Sequence, residues 1–528
     1  MFLKKCKAIL QRNFGTVPDP MYFAGDMDAI KSYYEFRRDN DLDSFLIDDI
    51  TWNDLNMDRI FKRINPGLTT SGEQYLYYQL RSPATHLDAY RKRKELLDMM
   101  EAFPDLRLQV QMVLVKLGRT RHIDINRTMK PKPHSSKWLM VYIMQILLLA
   151  ASVAFCTVAG SQGMLAVIAA LTLNGIVHEK RLAKCQLDFD TVNYTVSLIF
   201  TVRAIRKLKN KKLDQYLQEA YSHLKQLDFA VKTGGVSAVK DGGVQDILNT
   251  VLLLDLIAYE FLKIRLPKYQ NEIFSMHETL GKLDAAIAVA SYRASLDTFS
   301  EPDIDFFPEK PYFHASDMYH PLLKNPVTNS LNTEKSILIT GSNASGKSTY
   351  LRTAALCALL SQTICTAPSA DYRACAFRIF SSMALNDDLL AGESYYIVET
   401  KSLKRILNEK EGSVPVLCTI DEVLRGTNTV ERIAASSEIL LSLAQQGFLC
   451  LAATHDGELC DLLAEWYNLY HFEEYIEDNN MLFDYQIRKG RAVSRNAINL
   501  LKLIGFDDSI VSGAHNRANR YIESGVWS

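Results

Sequence analysis

Proline and glycine are scarce in this chain, with 15 and 24 among 528 residues, below the usual shares of roughly 5% and 7%. The shortage excludes collagen-like and Pro/Gly-rich disordered classes and favours long helices. An excess of charge of either sign is also missing: 60 Lys+Arg against 61 Asp+Glu give a net charge of -1. This excludes a surface coated with basic groups for nucleic acid but leaves room for a local basic stripe. The nine cysteines are scattered, odd in number and never spaced C-x-x-C. That pattern argues against a zinc site or a disulfide framework and fits a reducing compartment. The opening MFLKKCKAILQRNF has neither a signal-peptide apolar region nor a small-residue cleavage site, so secretion is not expected. What is present is a 48% hydrophobic chain, long enough for about three domains with cores of their own.

One stretch departs from the average. Trp138 to Ala159 holds no charge and only Gln145 as a strongly polar side chain, and its length of about 22 residues suffices to cross a bilayer core of about 30 Å. A turn, Gly160 to Gly163, leads to a second apolar run, Met164 to Val177. At about 14 residues it would have to borrow turn residues or thin the bilayer to cross. Arg119, Arg121, Arg127, Lys130, Lys132 and Lys137 precede the pair, and Lys180, Arg181 and Lys184 follow it. The positive-inside rule then places both ends in the cytoplasm. The expectation is a membrane hairpin touching lipid through residues 138–177, and a location at the inner or cytoplasmic membrane with the C-terminal domain in the cytoplasm. The competing reading is a buried hairpin in a soluble core.

Around it, Asp48 to Pro83 carries apolar residues at helical spacing, and Leu187 to Leu227 and Val244 to Ser295 have the texture of long amphipathic helices. From about Ile337 short β-branched runs alternate with helical stretches, as in a parallel sheet covered by helices. The expected architecture is an α/β P-loop domain with a mainly parallel sheet at the C-terminus, and an all-α core and lever domain with the two-helix hairpin before it. The expected boundaries are an N-terminal segment 1–45, a first part of the helical core at 46–136, the hairpin at 137–180, lever helices at 181–305 and the α/β domain at 306–528.

The chemistry concentrates in the last part. The apolar run 336–340 ends in Gly341-Ser342-Asn343-Ala344-Ser345-Gly346-Lys347-Ser348-Thr349, followed by a helical stretch. This is G-x-x-x-x-G-K-[ST] between a strand and a helix, the pattern that cradles nucleotide phosphates. Gly341 and Gly346 allow backbone N–H groups to face the phosphates, Lys347 neutralises the β/γ-phosphates and Ser348 ligates Mg²⁺. A second run, 414–420, ends in Asp421-Glu422, a metal-shell carboxylate followed by a candidate general base. A third, 448–453, ends in Thr454-His455-Asp456. There the histidine would approach the γ-phosphate, although a lone strand-end histidine is more often structural. Between the first two lies Asn386 to Glu399, where Ser394 precedes an apolar helical pattern. It reads either as a plain N-cap or as an anion site presented to the nucleotide of another subunit, as in ABC-class ATPases.

The motifs ITGSNASGKSTYLR, DDLLAGESYYIVE, TIDEVLRGTNTVER and ATH, in that order, resemble the ATPase domain of the MutS family of DNA mismatch-repair proteins. The resemblance is close over 306–528 and loose over about 40–305, where Leu55, Phe61, Gly72 and the LRSP at Leu80 to Pro83 fit the start of a helical core. It implies ATP and Mg²⁺ as cofactors, ATP hydrolysis, and a homodimer joined through its ATPase domains. Gly341, Asn343, Ser345, Gly346, Lys347, Ser348 and Thr349 would hold the nucleotide, with Ser394 from the other subunit. Ser348 and Asp421 would hold the metal, and Glu422, His455 and Lys347 would serve catalysis. His320-Pro321-Leu322 would lie near the adenine, and DNA, mismatched, branched or distorted, would be the client. Only about 45 residues precede the core segment in this sequence, so the family's mismatch-reading and connector domains are not expected within it. Arg203 to Lys212, RAIRKLKNKK, could contact phosphates, solvent or anionic lipid. The alternative function is a membrane-tethered scaffold derived from the family that does not bind nucleic acid.

Overall fold

A computed structural model describes residues 2–19, 21–40, 45–121, 123–124, 137–234, 244–342, 345–383, 395–409, 412–425, 427–477, 480–491, 498, 501 and 505–524. The chain divides into two compact units, each built from three segments. One comprises Met1–Asp43, Lys62–Gln79 and Glu95–Ser295, and the other Ser44–Phe61, Leu80–Lys94 and Leu296–Ser528.

The first unit is all-helical among its described residues. Helices α1 (Lys137–Ala159) and α2 (Ser161–Arg206) form the hairpin. The expected four-residue turn contracts to Gly160, whose φ of 54° suits glycine. The second helix starts at once and buries Gly163, where a Cβ would come within 2.4 Å of the Cys156 backbone. Unlike the expected sequence of a short apolar run and a separate lever, α2 continues unbroken for 46 residues. The stretch from 244 to 295 is instead broken. Leu253, in the left-handed region at φ 52°, separates α3 (Val244–Leu252) from α4 (Leu254–Arg265). A short 3-10 turn containing Pro267 then leads into α5 (Gln270–Ala294), because proline lacks the N–H that would continue the helix. On α5, Asp284 accepts hydrogen bonds from the Thr69 backbone N–H at 3.0 Å and the Thr69 hydroxyl at 2.5 Å. Two turns earlier His277 lies fully buried between the rings of Tyr33 and Tyr194.

The described residues of the second unit form ten strands: β1 (Asp303–Asp305), β2 (Phe313–Met318), β3 (Asn329–Thr333), β4 (Ile337–Thr340), β5 (Asp371–Cys375), β6 (Arg378–Ser382), β7 (Val416–Asp421), β8 (Leu449–Ala453), β9 (Asn468–Glu477) and β10 (Asn480–Lys489). Six form a sheet in the order β10-β9-β4-β8-β7-β6, parallel except for the antiparallel edge strand β10. The mainly parallel sheet expected from the sequence is therefore present. A second sheet, β1-β5-β2-β3 and mixed, was not anticipated. Strands β4, β7 and β8 are buried at every position, as required of parallel strands covered on both faces, which explains their unbroken apolar runs. One cover is α6 (Lys347–Ile364), apolar around most of its circumference and almost wholly buried. Another is the pair α7 (Tyr395–Leu407) and α8 (Thr429–Gln445), whose Leu403, Ile406, Leu440 and Leu443 join Val416, Cys418, Ile420 and Cys450 in a core. The far edge strand β6 is closed by the segment 44–61. The Thr51 hydroxyl accepts from Ser381 N at 3.1 Å, and the Asp54 carboxylate accepts from Ser381 Oγ at 2.6 Å and Met383 N at 3.0 Å. Side chains thus satisfy donors that an open edge would present to another strand.

Candidate nucleotide site

Three adjacent-strand ends meet at one place. Asp421 closes β7 in register with Ala453 of β8, the Glu422 N–H donates to the Ala453 carbonyl at 2.9 Å, and the Thr454 N–H donates to Ile339 O of β4 at 3.0 Å. The loops after β4, β7 and β8 therefore open on the same side, at the carboxyl ends of a parallel sheet, where open α/β sheets place their ligands. Gly341 and Gly346 both have positive φ, 145° and 106°. A Cβ would come within 3.0 Å of Phe472 O at the first and 3.2 Å of the Tyr485 ring at the second, so both glycines are required by conformation and by space. The N-terminus of α6 follows, with Lys347, Ser348 and Thr349 lining a cavity of about 610 Å³. Its unpaired N–H groups and dipole favour an anion there.

Lys347 is buried. Its Nζ donates to the carbonyls of Gly341 at 2.7 Å and Ser342 at 2.8 Å, and lies 3.4 Å from His455 Nε2. Burial lowers its pKa from 10.5 to about 8, against the opposing pull of Asp421, Glu422 and Glu474. His455 Nε2 in turn meets Glu422 Oε1 at 2.7 Å, and Arg425 Nε meets Glu422 Oε2 at 2.6 Å. Burial works to raise the Glu422 pKa, but the His455 hydrogen bond, Arg425 and Lys347 outweigh it and leave the carboxyl below its usual range. Both Glu422 and Leu424 sit at φ 59°, a region costly for side chains other than glycine and often found at functional sites. Glu399 of α7 holds this turn, accepting from Leu424 N at 2.7 Å and Arg425 N at 3.1 Å. The His455 loop is held by a bidentate pair, Arg432 to Asp456 at 2.9 and 2.6 Å.

The predicted residues Lys347, Ser345, Gly346, Ser348, Thr349, Asp421 and Glu422 all line the cavity, with His455 in contact through Glu422. Asn343 and Ser394 lie outside the described residues. Ser345 Oγ is fully buried with no hydrogen-bond partner among the described residues, an orphaned acceptor and donor that a phosphate would satisfy. Asp421 and the Ser348 hydroxyl suit Mg²⁺, which takes one or two carboxylates and completes its shell with phosphates and water. Accordingly, no cluster of three His, Cys, Asp or Glu side chains forms a cage of its own among the described residues. Met318, Leu323, Pro326 and Val327, with His320, also line the cavity and are apolar enough for a base. Burial, then Arg352, brings the His320 pKa down to about 4, so its ring is neutral. Sequence reasoning missed Glu399, Tyr485, Arg432 and Asp456 as parts of this arrangement. Their positions depend on pairings across 24 residues or more, and no local spacing marks them.

A family model described as MutS domain V matches residues 337–521. The chain is 32% identical over 254 residues to the DNA mismatch repair protein MutS of Natronomonas pharaonis, covering 44% of this chain and 28% of that protein. It is 28% identical over 263 residues to the MutS of Thermotoga maritima, 48% of this chain and 32% of that one. With the DNA mismatch repair protein MSH3 of Kluyveromyces lactis it shares 29% over 311 residues, 53% of this chain and 29% of the relative. The chain thus spans less than a third of the length of each of these relatives. The family model falls within the unit that carries the cavity, and this C-terminal part of the chain is of the MutS family.

Proposed function

We propose that the chain is a Mg²⁺-dependent ATPase of MutS type that works as a homodimer on DNA while held at a membrane. The observation that carries the ATPase reading is the convergence of Lys347, Ser348, Asp421, Glu422 and His455 at the carboxyl ends of β4, β7 and β8 around one cavity. In this reading Lys347 and the α6 N-terminus hold the phosphates, Ser348 and Asp421 hold the metal, and His320 lies beside the base. Glu422 takes a proton from the attacking water, once the approach of the nucleotide draws Lys347 and His455 away from their present contacts. Ser394 completes the site from the partner subunit.

For DNA, the supporting feature is the position of the basic stretch. Arg206, Lys207, Lys209, Lys211 and Lys212 are exposed at the far end of α2, and Val177 to Arg203 spans about 39 Å of helix. A patch so far from the apolar end does not lie on the bilayer that end would enter, which favours a polyanion in solution. For the membrane, the supporting feature is the exposure of Met140, Ile143, Met144, Leu147, Leu165 and Ile168 in the hairpin, far more apolar surface than a water-facing helix carries. The test is steady-state ATP hydrolysis with and without duplex and branched DNA. Glu422→Gln should retain ATP binding and lower turnover by about two to four orders of magnitude; turnover at the wild-type rate would remove Glu422 from the assigned role.

A further inference from the structure

Beyond the hairpin, the apolar exposure continues onto a segment whose sequence has the texture of a soluble lever. Helix α3 packs on α2, with the Asn174 amide donating to Val251 O at 2.7 Å and Thr250 Cγ2 3.9 Å from where a Cβ on Gly175 would stand. One turn before these contacts Ile247 and Leu248 are exposed, at 63% and 39%. Immediately beyond this contact the hairpin is clasped by polar groups from α4. His178 pairs with Asp255 at 2.9 Å, and Arg181 with Glu260 at 3.1 Å. Arg181 also donates to the Tyr142 hydroxyl at 2.9 Å and lies over the Trp138 ring. Trp and Tyr with Arg at one level form the composition of a bilayer interface. The contact of α3 with Asn174 and Gly175 lies about 5–10 Å on the hairpin side of that level, by the rise of about 1.5 Å per residue. An amphipathic helix beds into the boundary between headgroups and acyl chains at about this depth.

We propose that α3 is a third lipid-contacting element, lying in the interface beside the hairpin with Ile247 and Leu248 in the acyl region, and that the His178–Asp255 and Arg181–Glu260 clasp sits at the cytoplasmic headgroup level. This inference rests on the membrane reading above. Lipid rather than a protein partner is the occupant because Met140, Val141, Ile143, Met144, Leu147 and Val153 are all exposed and, at 3.6 residues per turn, cover about two thirds of the circumference of α1. A second copy would cover one face. The basic ring of Lys137, Lys180, Arg181 and Lys184 at the base, with no acid between 138 and 177, complements anionic headgroups.

The experiment uses the full chain with Cys6, Cys156 and Cys185, the partly exposed cysteines, replaced by serine. Single cysteines Leu147→Cys, Ile247→Cys and, as a control on the other unit, Val430→Cys carry an environment-sensitive fluorophore in vesicles of phosphatidylcholine and phosphatidylglycerol. Some of the lipids are brominated near the headgroup or near the chain end. Expected is quenching of the Leu147 probe, and quenching of the Ile247 probe by the shallow bromines that exceeds the Val430 control about twofold or more. Quenching at Leu147 with none at Ile247 overturns the role of α3 and leaves the hairpin in lipid. A blue-shifted but unquenched Ile247 probe also overturns it, in favour of a protein contact. No quenching at either position refutes the membrane reading and this inference together.

Discussion

Lys347 gives the sharpest prediction because its charge is both needed and held down. In the structure burial brings its pKa from 10.5 to about 8, a difference worth roughly 3 kcal/mol at about 1.36 kcal/mol per pH unit. A bound triphosphate restores the ammonium, so binding takes up the missing proton. With a pKa of about 8, about one tenth of the side chains are neutral at pH 7, half at pH 8 and nine tenths at pH 9. ATP binding should therefore absorb about 0.1, 0.5 and 0.9 proton at those pH values, and affinity should fall toward tenfold per unit above pH 8. Isothermal titration in buffers of different ionisation enthalpy measures that number, with Glu422→Gln protein to suppress turnover. Lys347→Arg is the control, since a guanidinium stays charged throughout and its variant should bind without proton uptake. Uptake that stays near zero at pH 9, or that persists in Lys347→Arg, would refute the reasoning.

Removing Arg425 frees one oxygen of Glu422 from its 2.6 Å ion pair. Arg425→Ala should thus raise the Glu422 pKa and move the acid limb of the kcat profile to higher pH, and an unmoved limb would exclude Glu422 as the titrating base. Asp54→Ala deletes the acceptor of the Ser381 and Met383 bonds and leaves buried donors unpaired. Urea unfolding should show a loss of about 2–4 kcal/mol, and a loss within about 0.5 kcal/mol would show the β6 edge to be satisfied otherwise. In the helical unit, burial depresses His277 from 6.5 to about 4 and raises Asp284 from 3.8 to about 7. The depressed histidine contributes stability that is lost as pH falls from about 6.5 to 4, and the raised aspartic acid contributes stability that is lost as pH rises from about 4 to 7. The two slopes nearly cancel over that window. Asp284→Asn should unmask acid destabilisation and His277→Phe the opposite slope, both read by thermal melts across about pH 4 to 7; parallel profiles for wild type and both variants would contradict this.

Much of the candidate site was legible because each chemical group stands at the end of an apolar run. Strands β4, β7 and β8 are buried on both faces, so their residues have no polar alternation to blur the signal, and Gly341, Asp421 and His455 stand at or just past their ends. The glycines were legible for the same local reason, since positive φ at Gly341 and Gly346 is a demand made by their own backbone. Glu399 was not, because its role is defined by the amides of Leu424 and Arg425, which come near only when α7 packs on the sheet. The second sheet escaped detection because β1 and β5 are short, and their pairing, from Asp303–Asp305 to Arg373–Cys375, spans some 70 residues. In the helical unit, α3 carries Asp246 and Asn249 beside Ile247 and Leu248. Its sequence therefore has the texture of an ordinary amphipathic lever, and only its seat against Asn174 and Gly175 sets it next to the hairpin.

The closure of the β6 edge by Thr51 and Asp54 also sets an order of events during synthesis. Asp54 is made 327 residues before Ser381, the partner of its carboxylate. At about 5–20 residues per second, that separation is about 15–65 s of translation. The strip Ser44–Phe61, with Trp52, Leu55 and Phe61 that end fully buried, must wait through this interval. Meanwhile the helices of Glu95–Ser295 emerge and have time to fold around local contacts. The sheet-bearing unit is thus completed only after the helices of Glu95–Ser295 have been made, and the edge of its sheet can close only when β6 returns to a segment made 327 residues earlier.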